Sequence, residues 1–185
     1  RQDPHHGRSY RIVCAITSEP ECAEAAAIEA AGVPLVGHPI AAFYRARGSA
    51  SVYRDIAARQ AYDRETAAML ERFRPDLVLL DGYLYLLTPP MLEAYRNRLI
   101  NLHFSDLLIR RADGSPAYAG LRAVRDAIRD GQTETCATVH LVTEEPDAGP
   151  LIARTSPFPV SPLVARALEW NATDMFKAYV FAHQE

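Results

Sequence analysis

Short apolar runs alternating with helix-forming stretches constrain this chain more than any other feature, because few architectures bury both kinds of segment at once. YRIVCAITS (10–18) is rich in apolar and β-branched residues and reads as a buried parallel strand. Glu19-Pro20 then opens an Ala- and Glu-rich helix, PECAEAAAIEAA, with Gly32 where a C-terminal cap belongs. VPLVGHP (33–39) reads as a second strand, and a polar stretch leads to a long helical pattern from about Ala50 to Phe73. DLVLLDG (76–82) is the clearest strand, bounded by Pro75 and Gly82. Pro89-Pro90 starts a short helix that feeds the strand RLINLH (98–103). GLRAVRDAIRDG (120–131) is an amphipathic helix between two glycines, and residues 162–185 read as mostly helical.

CATVHLV (136–142) and PLIARTSPF (150–158) are strands joined by the turn EEPDAG, and so short a link requires them to pair antiparallel. The whole pattern predicts one α/β domain over residues 1–185, Rossmann-like, with a mostly parallel sheet, helices on both faces and a C-terminal antiparallel hairpin. Composition excludes some functions. A net charge of −3 with scattered basic residues argues against a nucleic-acid partner, which needs a concentrated cationic face. Three cysteines without CxxC spacing fit neither a disulfide framework nor a zinc site, so reduced thiols in a cytoplasmic protein without a metal are expected. No apolar run reaches the ~20 residues of a membrane span.

In open parallel sheets ligands sit outside the carboxyl ends of the strands, which points to residues 82–87 and 101–105. Side chains alternate along a strand, so Asn101 and His103 project together while Leu102 faces away. An amide and an imidazole side by side suit acyl transfer to an amine, since both can donate to the oxyanion of a tetrahedral intermediate. A carboxylate nearby would orient the imidazole, favour its charged form and help take the proton from the attacking amine. Asp147 in EEPDAG, taken alone, reads as a turn residue, since Asp before small residues is ordinary turn chemistry.

At these residues the sequence resembles the folate-dependent formyltransferases, nearest to the members that formylate glycinamide ribonucleotide in purine synthesis. RPDLVLLDGYLYLLTPPMLEAYRNRLINLHFSDL (74–107), GLRAVRDAIRDGQTE (120–134) and CATVHLVTEEPDAGPLI (136–152) carry the resemblance. YRIVCAITS, AAGVPLVGHPI and RQAYDRE (59–65) extend it upstream. It implies that Asn101, His103 and Asp147 are the catalytic amide, imidazole and carboxylate, and that His140 supports them from the neighbouring strand. It further implies that Tyr83, Leu84, Tyr85, Leu86 and Leu87, with Thr143, Glu144 and Glu145, grip the pterin of 10-formyltetrahydrofolate. Arg59 matches a basic residue near the acceptor's phosphate, and Glu185 an acidic residue near its ribose. The implied partners are a reduced folate and a small-molecule amine, with the protein a monomer or homodimer. Other acceptors (an amino-sugar nucleotide or methionyl-tRNA), water in a formyl-folate hydrolase, and a non-catalytic folate-binding remnant stay open.

Three departures stand beside the resemblance. The family's Gly-rich phosphate loop has no counterpart among nine glycines without a Gly-x-Gly pair, so the first β-loop-α unit is expected to be missing. Phe104 replaces a proline in the family's His-Pro-Ser, and the loop 106–120 is longer than usual. The stretch ALEWNATDMFKAY also looks like an insertion.

Overall fold

A computed structural model describes residues 5, 8–49, 54–169 and 171–184. The chain divides into two compact units, Arg1–Asp76 with Tyr85–Tyr95, and Leu77–Leu84 with Arg96–Glu185.

In the first unit β1 (Ala15–Thr17) pairs in parallel with β2 (Leu35–Gly37). Helix α1 runs only over Ala25–Ala30 and does not begin at Pro20 as its composition suggested. The Thr17 hydroxyl accepts the Glu19 N–H and donates to the Glu19 carbonyl, and turns follow at Cys22 and Ala25. Local bonds of this kind compete with a helical first turn. The helix ends as expected at Gly32, whose φ of +71° closes the chain so that Gly32 N–H and Val33 N–H reach the Glu29 and Ile28 carbonyls.

The stretch read as polar holds a helix, α2 (Ile40–Ala46), with Ile40, Phe43 and Tyr44 buried at i, i+3 and i+4. Helix α3 spans Ile56–Glu71, and Asp55 caps it by accepting the Ala58 N–H at 2.9 Å. The expected start of that helix at Ala50 lies outside the described residues. Ile40, Phe43, Tyr44, Ala58 and Tyr62 form the apolar core of this unit, with Tyr85 packed on it.

Helix α4 (Pro89–Ala94) belongs to the same unit and starts, as its proline pair predicts, with Thr88 at the N-cap position. Buried Asp63 of α3 accepts from Thr88 N–H at 2.7 Å, from Thr88 Oγ1 at 2.6 Å, and from the Arg59 guanidinium.

The second unit carries a four-stranded sheet in the order β3 (Val78–Leu80), β4 (Leu99–His103), β6 (Thr138–Leu141), β7 (Leu151–Arg154). The α/β alternation is observed, with β3 and β4 parallel. The expected antiparallel hairpin is β6–β7, and β6 also runs antiparallel to β4. Helix α5 (Ala123–Arg129) precedes this hairpin.

One predicted strand divides. Pro157 cannot donate to a ladder, and beyond it β8 (Phe158–Pro159) leaves β7 to pair with β5 (Glu134–Thr135). Helices α6 (Pro162–Glu169) and α7 (Thr173–Gln184) close the chain, where helix was expected. Val164 of α6 and Phe176 of α7 pack with Val124 and Ile128 of α5, and Phe104 joins this cluster. The Phe104 ring thus serves the core of the second unit.

Candidate active site

The pairing of β4 with β6 places Asn101 directly opposite His140 and His103 directly opposite Thr138. Directly paired residues share a sheet face, so the amide, both imidazoles and the threonine hydroxyl lie on one side. Thr138 Oγ1 donates to the Ser105 carbonyl at 2.8 Å, which ties the chain leaving β4 to β6. Beyond Val139 the β6–β7 register shifts, with His140 facing Leu151. Such an irregularity re-aims the strand next to it, here at the root of the turn that carries Asp147.

Asp147 has a left-handed backbone, φ +55°, a conformation that Asp tolerates better than most residues. Its Oδ1 stands 3.6 Å from His103 Nδ1 and 3.6 Å from His140 Nε2, while Oδ2 accepts the Gly120 N–H at 2.7 Å. Asn101, His103, His140 and Asp147 therefore form one cluster. His140 is 2% exposed and His103 8%.

Each ring is anchored by a backbone carbonyl, a pure acceptor. His103 Nε2 donates to Tyr118 O at 3.0 Å, and His140 Nδ1 donates to Leu141 O at 2.9 Å. The nitrogens left to face Asp147 are thus His103 Nδ1 and His140 Nε2. Asn101 Nδ2 lies 3.2 Å from that His140 Nε2.

The long loop 106–120 has a use in this arrangement. It doubles back through the Arg110–Pro116 bridge and the Ala117 N–H to Ile109 carbonyl bond of 2.8 Å. It thereby brings up both the Tyr118 carbonyl and the Gly120 N–H.

Burial by itself would raise the Asp147 carboxyl. The polar contact with His140, the His103 charge and the Gly120 N–H outweigh it and hold the group below the usual carboxylate range. A carboxylate lowered by folding stabilises the native state fully above its unfolded value of about 4. That contribution is lost as pH falls through the lower folded value. Unfolding free energies of the parent and of Asp147→Asn should therefore differ near neutrality and converge in strong acid. A constant difference down to the lowest pH would refute the coupling.

Gly149 fixes the other side of the turn. A Cβ built on it meets the Leu141 carbonyl oxygen at 1.8 Å and its carbon at 2.9 Å, both backbone atoms that cannot swing away. Gly149→Ala is expected to destabilise by about 1–3 kcal/mol, the usual cost of overpacking. It should also displace Asp147, two residues before it. Denaturant unfolding checks the first effect, and the backbone chemical shifts of residues 143–149 check the second.

The remaining sequence candidates divide. Tyr83 and Leu84 belong to the unit that holds this cluster, whereas Tyr85, Leu86 and Leu87 belong to the other. Leu84 and Leu86 are exposed, as are Thr143, Glu144 and Glu145, and Thr143 Oγ1 donates to the Glu145 carbonyl at 3.1 Å within the turn. Arg59, expected beside an acceptor phosphate, is instead 4% exposed with its guanidinium on Asp63 and near the Tyr62 ring. In this position it pairs within α3, one turn from Asp63. Glu185 lies outside the described residues. Sequence reasoning missed the Tyr118, Gly120 and Leu141 backbone groups, which no side-chain pattern reports; Gly149, just after Asp147-Ala148, was the one visible signal.

Residues 2–162 match the family model described as formyl transferase. The chain belongs to the formyl transferase family. Over 95 residues, 51% of this chain and 41% of the relative, it is 39% identical to phosphoribosylglycinamide formyltransferase of Escherichia coli (strain K12). It is 33% identical over 95 residues to the formyltetrahydrofolate deformylase of an Escherichia coli O6:H1 strain, of which 31% is covered. The match thus spans less than half of these curated relatives. Among solved structures, glycinamide ribonucleotide transformylase 1 from Symbiobacterium toebii superposes with a TM-score of 0.67 at 30% identity, covering 94% of this chain and 73% of that one. The formyltransferase fold, α/β and Rossmann-like, is therefore the fold of this chain. Among the described residues no group of His, Cys, Asp and Glu could hold a metal, and no helix is long and apolar enough to cross a membrane.

Proposed function

We propose that this chain carries the catalytic residues for transfer of a formyl group from 10-formyltetrahydrofolate to the amine of glycinamide ribonucleotide, a step of purine biosynthesis. The observation that carries the reading is a single carboxylate oxygen of Asp147 within 3.6 Å of His103 Nδ1 and His140 Nε2, beside the Asn101 amide, in a member of the formyl transferase family.

In this reading the acceptor amine attacks the formyl carbon, and the carbonyl oxygen becomes an oxyanion. The Asn101 N–H and protonated His103 Nδ1 donate to it, the role preorganised donors play in acyl transfer. Asp147 stabilises the imidazolium and relays the proton that the amine loses as the new C–N bond forms. Collapse of the intermediate expels the folate nitrogen, which takes up a proton. Tyr83, Leu84, Thr143, Glu144 and Glu145 are proposed to contact the pterin. Glu185 is proposed to contact the acceptor. The names of the relatives and of the solved structure favour the glycinamide ribonucleotide acceptor.

A substrate panel tests the assignment. With 10-formyltetrahydrofolate as donor, formylated product should accumulate with glycinamide ribonucleotide and not with an amino-sugar nucleotide or methionyl-tRNA. Formate release at the same rate with no amine present would overturn transfer in favour of hydrolysis.

A further inference from the structure

We propose that His140 is a positioning residue: its neutral Nδ1–H form holds the Asn101 amide with its NH2 toward the reacting centre, and a second proton on His140 turns that amide around. The inference rests on the formyl-transfer reading for its consequence, but its geometry is independent of it.

The tautomer follows from one contact. The Leu141 carbonyl 2.9 Å from His140 Nδ1 can only accept, so Nδ1 keeps its hydrogen whether the ring is neutral or charged. Nε2 is then the nitrogen that gains or loses a proton. It stands 3.2 Å from Asn101 Nδ2, nearer than the 3.6 Å to Asp147 Oδ1. An amide NH2 only donates, so this contact is a hydrogen bond when Nε2 offers a lone pair and a clash of donors when it carries a proton. In the neutral state one Asn101 N–H is engaged by His140 and the second is left to meet an oxyanion.

Protonation of Nε2 reverses this. Rotating the amide by half a turn lets Asn101 Oδ1 accept the new N–H, and the state is satisfied. The cost falls on the reaction, because the amide edge that donated has been exchanged for one of different polarity and the fixed oxyanion donor is lost.

The ionisable groups that face His140 among the described residues are Asp147, from the β6–β7 turn, and His103, from β4, whose ring centre is 6.5 Å away at 75°. His103 is locked in the complementary sense. The Tyr118 carbonyl holds its Nε2 hydrogen, so its titrating nitrogen is Nδ1, 3.6 Å from the same Asp147 oxygen. One carboxylate thus stands between two basic nitrogens. A proton on His103 is the productive state, with Asn101 correctly held by neutral His140. A proton on His140 is the unproductive one.

The test joins a resting-state measurement to kinetics. Ring 15N shifts of His140 in the unliganded chain should report the Nδ1–H tautomer near neutral pH, and the Asn101 side-chain amide resonances should move as His140 titrates. Finding Nε2–H, or Asn101 resonances indifferent to the titration, overturns the proposal. In turnover, His140→Ala should lower kcat by about 10²–10³, the usual cost of losing one oxyanion donor, with KM nearly unchanged. His140→Gln can offer a carbonyl oxygen where Nε2 was but cannot be protonated. It should retain kcat within about tenfold of the parent, with the acid limb of the rate profile displaced. Equal loss in the Gln and Ala variants, with the parent's acid limb kept, overturns the positioning role. If the tautomer and the coupled resonances are seen but the parent transfers no formyl group to any amine, the lock stands and the formyl-transfer reading falls; Asn101→Ala turning over at the parent rate overturns the consequence for catalysis.

Discussion

His103→Ala is expected to lower formyl transfer by two to four orders of magnitude, the range for removing a positioned acid or base from a reacting centre. Asp147→Asn should fall in the same range. The two substitutions reach that result differently. His103→Ala removes the ring and leaves the Tyr118 carbonyl without its 3.0 Å donor, which costs about 1–3 kcal/mol of stability. Asp147→Asn keeps a side chain that tolerates φ +55° and can still accept the Gly120 N–H, so the turn should persist while the negative charge between the two rings is lost. Rates must be read below the unfolding transition of each variant. Near-normal turnover in either folded variant would remove that residue from the chemistry.

What the sequence made legible here follows a physical divide. The strands with periodic or continuous apolar runs, β3 and β4, were plain, and so was the relation of Asn101 to His103, because alternation along a strand is a local rule. The link between those two residues and Asp147 came only through the family resemblance. It depends on the β4–β6 register and on the irregularity in the β6–β7 pairing, both non-local. Helix α2 was hidden because Arg45, Arg47 and the small residues around them outweigh its three buried positions in a composition-based reading. The anchors of the two histidines are backbone carbonyls, identical in every residue and therefore silent in the sequence. The burial of Arg59 was hidden for a related reason. On a long helix an arginine looks solvated or ligand-facing until Asp63, four residues on, is known to point inward with it.

That pair leads to the largest stability effect expected in the molecule. Asp63 is completely enclosed and accepts three donors: the Arg59 guanidinium, the Thr88 N–H and the Thr88 hydroxyl. It thereby fastens the middle of α3 to the N-terminus of α4. Asp63→Ala leaves a buried guanidinium without its carboxylate and an uncapped Thr88 N–H. Breaking one side of a buried ion pair typically costs about 3–5 kcal/mol, against a total stability of about 5–15 kcal/mol for a native protein. Denaturant unfolding should register that loss. The double variant Asp63→Leu with Arg59→Met should recover much of it, because replacing both charges removes the desolvation cost along with the attraction. Were Arg59 a ligand for an acceptor phosphate, the pattern would invert. Asp63→Ala would then leave the unfolding transition in place and change KM for the amine substrate. A shift in KM with stability altered by less than about 1 kcal/mol, the scale of a surface ion pair, would restore Arg59 to the binding site.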